Sequence, residues 1–138
     1  MSKKMCPVVH FEMPFEDKSR AIDFYEKVFG WRSQMLGPEM GNYVVVSTSE
    51  TDEKTHMPKE PGKIGGGLFE KTENNKSTSV VIAVEDIQAA MKNVADAGGE
   101  VLGGMNPGEP DDIPGVGLYC AIKDSEGNLV GILQPKGM

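Results

Sequence analysis

The chain has 138 residues, is 38% hydrophobic and 25% charged, and carries a formal net charge of -7. These values suit one globular domain, or two small modules sharing a core, and exclude a disordered chain. The negative balance argues against nucleic acid as a partner, because phosphate neutralisation needs clustered Lys and Arg and the one basic cluster, Lys3-Lys4, is too short.

Negative charge fits solubility or a cationic ligand. No apolar run nears the roughly 20 residues that cross a bilayer, so no membrane association is expected. The stretch from Met1 to Pro7 lacks the apolar core and cleavage site of a secretory signal. A cytoplasmic protein is therefore expected, with Cys6 and Cys120 as thiols. Neither cysteine sits in a CxxC pair.

The first apolar run, Pro7 to Pro14, has the period of a half-buried strand. Val9, Phe11 and Met13 share one face, and Val8, His10 and Glu12 share the other. A helix follows, with Asp17 and Ser19 as candidate N-caps. Its sticky face is expected to be Ala21, Phe24, Tyr25, Val28 and Phe29, and Gly30 suits the left-handed residue after its end. Trp31 to Leu36 and Asn42 to Thr48 read as strands. Glu50 to Gly62 is a polar, Pro-containing loop, and Lys63 to Lys71 is a strand stripped of side chains at Gly65-Gly66-Gly67. Glycine there suggests close approach of another backbone or of a ligand.

The pattern then restarts. Thr78 to Val84 is a β-branched run with Val80, Ile82 and Val84 on one face and Ser79, Val81 and Ala83 on the other. Asp86 can cap a helix in which Ile87, Ala90, Met91, Val94 and Ala95 recur, and Gly98-Gly99 ends it. Glu100 to Leu102 starts a strand, a Gly/Pro/Asp-rich loop runs from Gly103 to Gly115, and Gly117 to Lys123 and Leu129 to Pro135 form a hairpin about Asp124-Ser125-Glu126-Gly127-Asn128. The order strand, helix, three strands thus occurs twice, which predicts an α+β fold of two βαβββ modules. The 1–138 chain is read as one domain, with modules at 7–71 and 78–135. The strand faces turned away from the helices are expected to line a groove between the modules.

The stretch His10-Phe11-Glu12-Met13-Pro14, then Arg20-Ala21-Ile22-Asp23-Phe24-Tyr25 and Phe29-Gly30-Trp31, resembles the N-terminal module of the glyoxalase/bleomycin-resistance/dioxygenase superfamily, the vicinal oxygen chelate proteins. Asp124-Ser125-Glu126-Gly127-Asn128 resembles the family's Asp-Pro-(Asp/Glu)-Gly-Asn turn, with Ser125 in place of Pro. The similarity runs from about Val8 to Pro135. It implies the βαβββ module, a small-molecule ligand and a homodimer. Metal-dependent members hold a divalent ion with four side chains, one from each end strand of each module. His10 falls on the first of these positions. The fourth strand has Gly65-Gly66-Gly67-Leu68, so a ligand is missing there unless Glu70 substitutes through a register shift. The fifth strand has Ser79 and the eighth Gly131. A lone imidazole does not hold zinc, nickel or iron, which need three or four protein donors, and His56 lies in the long polar loop. No cofactor is expected.

His10 is thus the candidate acid/base or ligand contact, beside Glu12 on the same face. Its alternative role is a strand histidine bonded to a neighbour. Glu12 is a groove acid or a solvated strand-end carboxylate. Trp31, Tyr43 and Tyr119 are candidate pocket aromatics or ordinary core and rim residues, and Ser79 completes the candidate binding set. Cys120 reads as a small buried apolar residue. The two long loops read as lids or as plain surface. The function expected is metal-free binding of a small molecule; the alternative is a glyoxalase-type lyase or dioxygenase with an altered metal site built from His10, Glu12 and Glu70, or with His10 as acid/base without a metal.

Overall fold

In the computed structural model, which describes residues 5–55 and 57–136, the elements run β1 (Val8–Phe15), α1 (Lys18–Phe29), β2 (Arg32–Met35), a 3-10 turn (Pro38–Met40), β3 (Val44–Ser47), β4 (Gly65–Glu70), β5 (Ser79–Ala83), α2 (Ile87–Asp96), β6 (Glu100–Gly103), β7 (Asp111–Ile113), β8 (Gly117–Lys123) and β9 (Leu129–Pro135). His56, Lys3 and Lys4 lie outside the described residues. The strand-helix-strand-strand-strand order that the sequence predicts occurs in both halves, with the short β7 as an additional strand in the second. Two units result. One is His10–Thr78; the other is Ser79 onward, joined by the segment that ends at Val9. That segment is held to β5 by the Ala83 amide donating to the Pro7 carbonyl at 2.9 Å.

In the first unit the strands lie in the order β2-β3-β4-β1, with β1 and β4 parallel and the other pairs antiparallel. Asp17 caps α1, accepting from the Arg20 amide at 3.0 Å, and Gly30 closes it at φ 72. One sheet face carries Phe11, Met13, Phe15, Val44, Val46 and Leu68, which pack with Ala21, Ile22 and Trp31. The helix meets the sheet through part of the stripe the sequence predicts, Ala21 and Tyr25, together with Ile22. Phe24, Val28 and Phe29 are 52%, 56% and 59% exposed, while Ala21, Ile22 and Tyr25 turn inward. Along the glycine run of β4, a Cβ on Gly65 would meet the Val46 backbone carbonyl at 3.0 Å, the close backbone approach the sequence suggests, whereas one on Gly66 would lie 2.3 Å from the Phe11 ring.

In the second unit the order is β5-β9-β8-β6, with β7 on β8. Asp86 caps α2 through the Ala89 amide, and the Gln134 side-chain oxygen accepts from the Ile87 amide at 2.9 Å, so β9 satisfies a second free donor of the first turn. Ile87 and Met91 bury against Val84, Cys120, Ile122 and Ile132. The hairpin turn is organised by Asp124, whose carboxylate accepts from the amides of Glu126 and Asn128 and from the Asn128 side chain. The loop from Gly103 to Gly115 is more ordered than the sequence suggests. Asp111 accepts from the Met105 amide at 2.9 Å, and β7 pairs with β8 from Asp111↔Tyr119 to Ile113↔Gly117.

Ile87 is fully buried, so Ile87→Ala is expected to cost about 2–5 kcal/mol, whereas Val28→Ala on the exposed stripe stays within about 0.5 kcal/mol. Urea denaturation followed by far-UV circular dichroism compares them, and equal losses would contradict this packing. Gly66→Ala is expected to destabilise by about 1–3 kcal/mol, because the added methyl drives Phe11 off its position.

Candidate functional site

The uninterrupted β1–β4 register, His10↔Gly65 through Phe15↔Glu70, sets which side chains share a face. Phe11, Met13 and Phe15 belong to the helix-side core, so His10 and Glu12 stand on the opposite face. β3 pairs Val45 with Gly67, which places Tyr43 on that same face. Tyr43 lies on β3's approach, two strands from β1, yet its hydroxyl contacts both β1 residues. It donates to Glu12 Oε2 at 3.0 Å and lies 2.9 Å from His10 Nε2.

What permits this is Gly67. A Cβ there would sit 1.6 Å from the Tyr43 hydroxyl and 2.0 Å from its ring carbon. Any other residue at position 67 would occupy the space through which the phenol crosses β4. The His10, Glu12 and Tyr43 side chains are all half-buried, and burial holds the His10 imidazole below its ordinary value of 6.5. The cluster therefore combines an imidazole whose uncharged form burial favours, a phenol and a carboxyl group within hydrogen-bond reach.

The second unit repeats the arrangement with different neighbours. Ala121 pairs with Gly131 and Val81 with Gly131. A Cβ on Gly131 would meet the Tyr119 ring at 2.7 Å and its hydroxyl at 2.9 Å. Tyr119 thus overlies the closing-strand glycine as Tyr43 overlies Gly67. The face it shares carries Ser79, Val81 and Ala83, where the first unit has His10 and Glu12. Val81 and Ala83 are buried, and Ser79 is half-buried.

The remaining candidates fall elsewhere. Trp31 stacks on Tyr25 at 4.7 Å and 10° and packs on Phe11 and Phe29, which puts it in the helix-side aromatic cluster and away from the face of His10. Glu70 pairs with Phe15 and is exposed. No register shift occurs, so β-strand alternation turns Glu70 to the face opposite His10, and it is no co-ligand of that residue. Cys120 is fully buried, and burial pushes its thiol up. One open recess of about 430 Å³ lies beside α1, with Arg20, Phe24 and Lys71 in its wall.

The family's metal centre does not fit these residues. Its fourth-strand carboxylate would have to grow from β4 into the space that Tyr43 fills over Gly67. Among the described residues no group of three His, Cys, Asp or Glu side chains comes together to hold an ion. The bridging role of Tyr43 was not predictable from spacing. Its signal was the pairing of a tyrosine on one strand with a glycine run on the next.

Residues 8–49 match the family model described as bleomycin resistance protein-like N-terminal. A glyoxylase-like protein of Mycobacterium bovis is 31% identical over 117 residues, covering 83% of this chain and 39% of that protein. An anthracycline biosynthesis protein of Streptomyces peucetius is 28% identical over 128 residues, covering 85% and 42%. The chain spans about two fifths of the length of these relatives, at 39% and 42%. Among solved structures, a Streptomyces coelicolor methylmalonyl-CoA epimerase variant in complex with 2-nitronate-propionyl-CoA superposes with a TM-score of 0.66 at 16% identity, covering 98% of both chains. A methylmalonyl-CoA epimerase in complex with methylmalonyl-CoA and NH4+ gives 0.67 at 16%, covering 97% of both. At such identity the likeness is one of fold. With the N-terminal match, the sequence relatives and the shared βαβββ fold together, this chain belongs to the glyoxalase/bleomycin-resistance/dioxygenase superfamily.

Proposed function

We propose that the chain binds a small organic molecule, without a metal ion, on the sheet face that carries His10, Glu12 and Tyr43. The observation that carries this reading is the Tyr43 hydroxyl bridging His10 and Glu12 over Gly67. It supplies a donor, an acceptor and an aromatic ring in one place, and it uses the space a metal-binding carboxylate would need. The net charge of -7 and the Glu12 side chain favour a cationic ligand. An aromatic amine suits both the charge and the Tyr43 ring. The solved relatives of like fold hold CoA esters, which shows only that this architecture accommodates small organic ligands. The same reading takes the chain as a cytoplasmic homodimer. Support for a second copy is the apolar stripe Phe24, Val28 and Phe29 on α1, and sedimentation velocity of Phe24→Glu against the unaltered chain checks it.

The test is metal content by elemental mass spectrometry, run beside a thermal-shift titration with protonated tryptamine. Expected are negligible metal, a saturable rise in melting temperature that chelator treatment leaves intact, and loss of that rise in His10→Ala. One tightly held metal per chain, required for the rise, would overturn the reading.

The reading also needs an uncharged imidazole. Burial lowers the folded-state value of His10 below 6.5, so between the two values the unfolded chain binds more protons than the folded one. The resulting contribution to stability is complete above pH 6.5 and is lost as pH falls through the folded value. His10→Gln is expected to flatten the fall in melting temperature between pH 7.5 and pH 5, measured by differential scanning calorimetry. An unchanged profile would place the imidazole in solvent.

A further inference from the structure

We infer that Tyr43 is a positioning residue that holds His10 as the Nε2–H tautomer, leaving Nδ1 as the hydrogen-bond acceptor for an N–H donor on the ligand. This deepens the binding reading above and rests on it for the ligand, but not for the tautomer.

The argument is one of proton counting. A phenol has one proton to donate and lone pairs to accept. The Tyr43 proton goes to Glu12 Oε2 at 3.0 Å. The 2.9 Å contact with His10 Nε2 must then be made by an N–H on that nitrogen, donating to the phenol oxygen. An imidazole that is neutral and protonated at Nε2 carries its lone pair at Nδ1. Burial of the ring acts in the same direction, because it disfavours the imidazolium in which both nitrogens donate. Glu12 and Tyr43 are ionisable groups on the face of His10, and the Tyr43 hydroxyl links the three in one chain of bonds.

The device depends on a residue that makes no hydrogen bond through a side chain. Tyr43 stands on the approach to β3, and β4 lies between it and β1. Only the missing side chain of Gly67 lets the phenol through. The second unit has the same tyrosine-over-glycine geometry at Tyr119 and Gly131, but Val81 pairs with that glycine, in the place Glu12 holds opposite Gly67. A Val neither accepts a proton nor orders an imidazole. The tautomer device therefore belongs to the first unit, and the ligand class follows. A neutral Nδ1 acceptor beside an acidic side chain selects a protonated amine over an anion, since the amine offers both the N–H and the positive charge.

The test is a long-range 1H–15N correlation spectrum of 15N-histidine-labelled protein at pH 7.5. The expected His10 pattern is a pyrrole-type Nε2 and a pyridine-type Nδ1. A pyridine-type Nε2, or two protonated nitrogens, would overturn the assignment. Tyr43→Phe removes the bridge. Gly67→Ala keeps all three polar groups but blocks the crossing, so it stands in should Tyr43→Phe perturb folding. Both are expected to lose the single-tautomer pattern, and a variant that is folded and keeps it would sink the positioning role. Loss of one hydrogen bond is expected to weaken tryptamine binding about 3- to 10-fold in either variant. A wild-type spectrum with the expected tautomer whose Nδ1 resonance does not move on saturating tryptamine would leave the positioning role standing and overturn the amine reading of the ligand.

Discussion

Everything distinctive on the His10 face depends on a side chain that is not there. Two inter-strand spacings of roughly 4.8 Å separate β3 from β1, which is further than a side chain reaches if β4 carries its own side chains in between. Gly67 removes the obstacle, and the phenol of Tyr43 lies across the gap to meet His10 and Glu12. The cost is conformational freedom in a strand interior, where glycine is disfavoured by roughly 0.5–1 kcal/mol relative to alanine. Leu68 next to it is buried and anchors the strand from the other face. The glycine run is thus tolerated because the core side of β4 holds its register while the opposite side is left open for rings.

The second unit shows which part of this arrangement is mechanical and which is chemical. Tyr119 over Gly131 repeats the geometry, and Ser79 and Val81 stand at the places of His10 and Glu12. Ring over glycine therefore belongs to the architecture of both modules. In the first unit the ring's hydroxyl bonds to two residues of a single strand, His10 and Glu12. The second unit spends its sequence on packing instead: Ile87 and Cys120 are fully buried, and α2 is capped from both Asp86 and Gln134.

Much of the fold was legible in the sequence because strands and helices leave periodic traces. The bounds of β8 and β9 fall where alternation and the Asp124–Asn128 turn put them, and the helix caps at Asp17 and Asp86 follow from side-chain oxygens placed before apolar periodicity. The misses have separate physical causes. β7 has three residues and two adjacent aspartates, so no period marks it; pairing to β8 creates it. On α1, Phe24 and Val28 have the right spacing but lie on the flank of the helix away from Ile22, and Phe29 is exposed as its last residue. Trp31 precedes β2 and follows its helix neighbours Tyr25 and Phe29 into a stack, a matter of tertiary contact that spacing does not encode. Of the site, the sequence placed His10 and Glu12 on one face. It did not show that Tyr43 joins them, because that contact depends on which glycine the β3–β4 register sets opposite Val45.

Tyr43 meets the bonding needs of His10 and Glu12 on a face where the described residues bring no metal-binding cluster together. A half-buried imidazole and a half-buried carboxyl group both need partners, since a polar group taken from water without a hydrogen bond costs on the order of 1–3 kcal/mol. Where a metal ion binds, it satisfies such groups by coordination. A phenol answers both at once, because one hydroxyl donates to an oxygen and accepts from a nitrogen. A serine hydroxyl would do the same chemistry but could not span β4. Glycine at 67 and tyrosine at 43 are therefore a matched pair: each is unfavourable or inert without the other, and together they let this face present an ordered imidazole beside a carboxyl group.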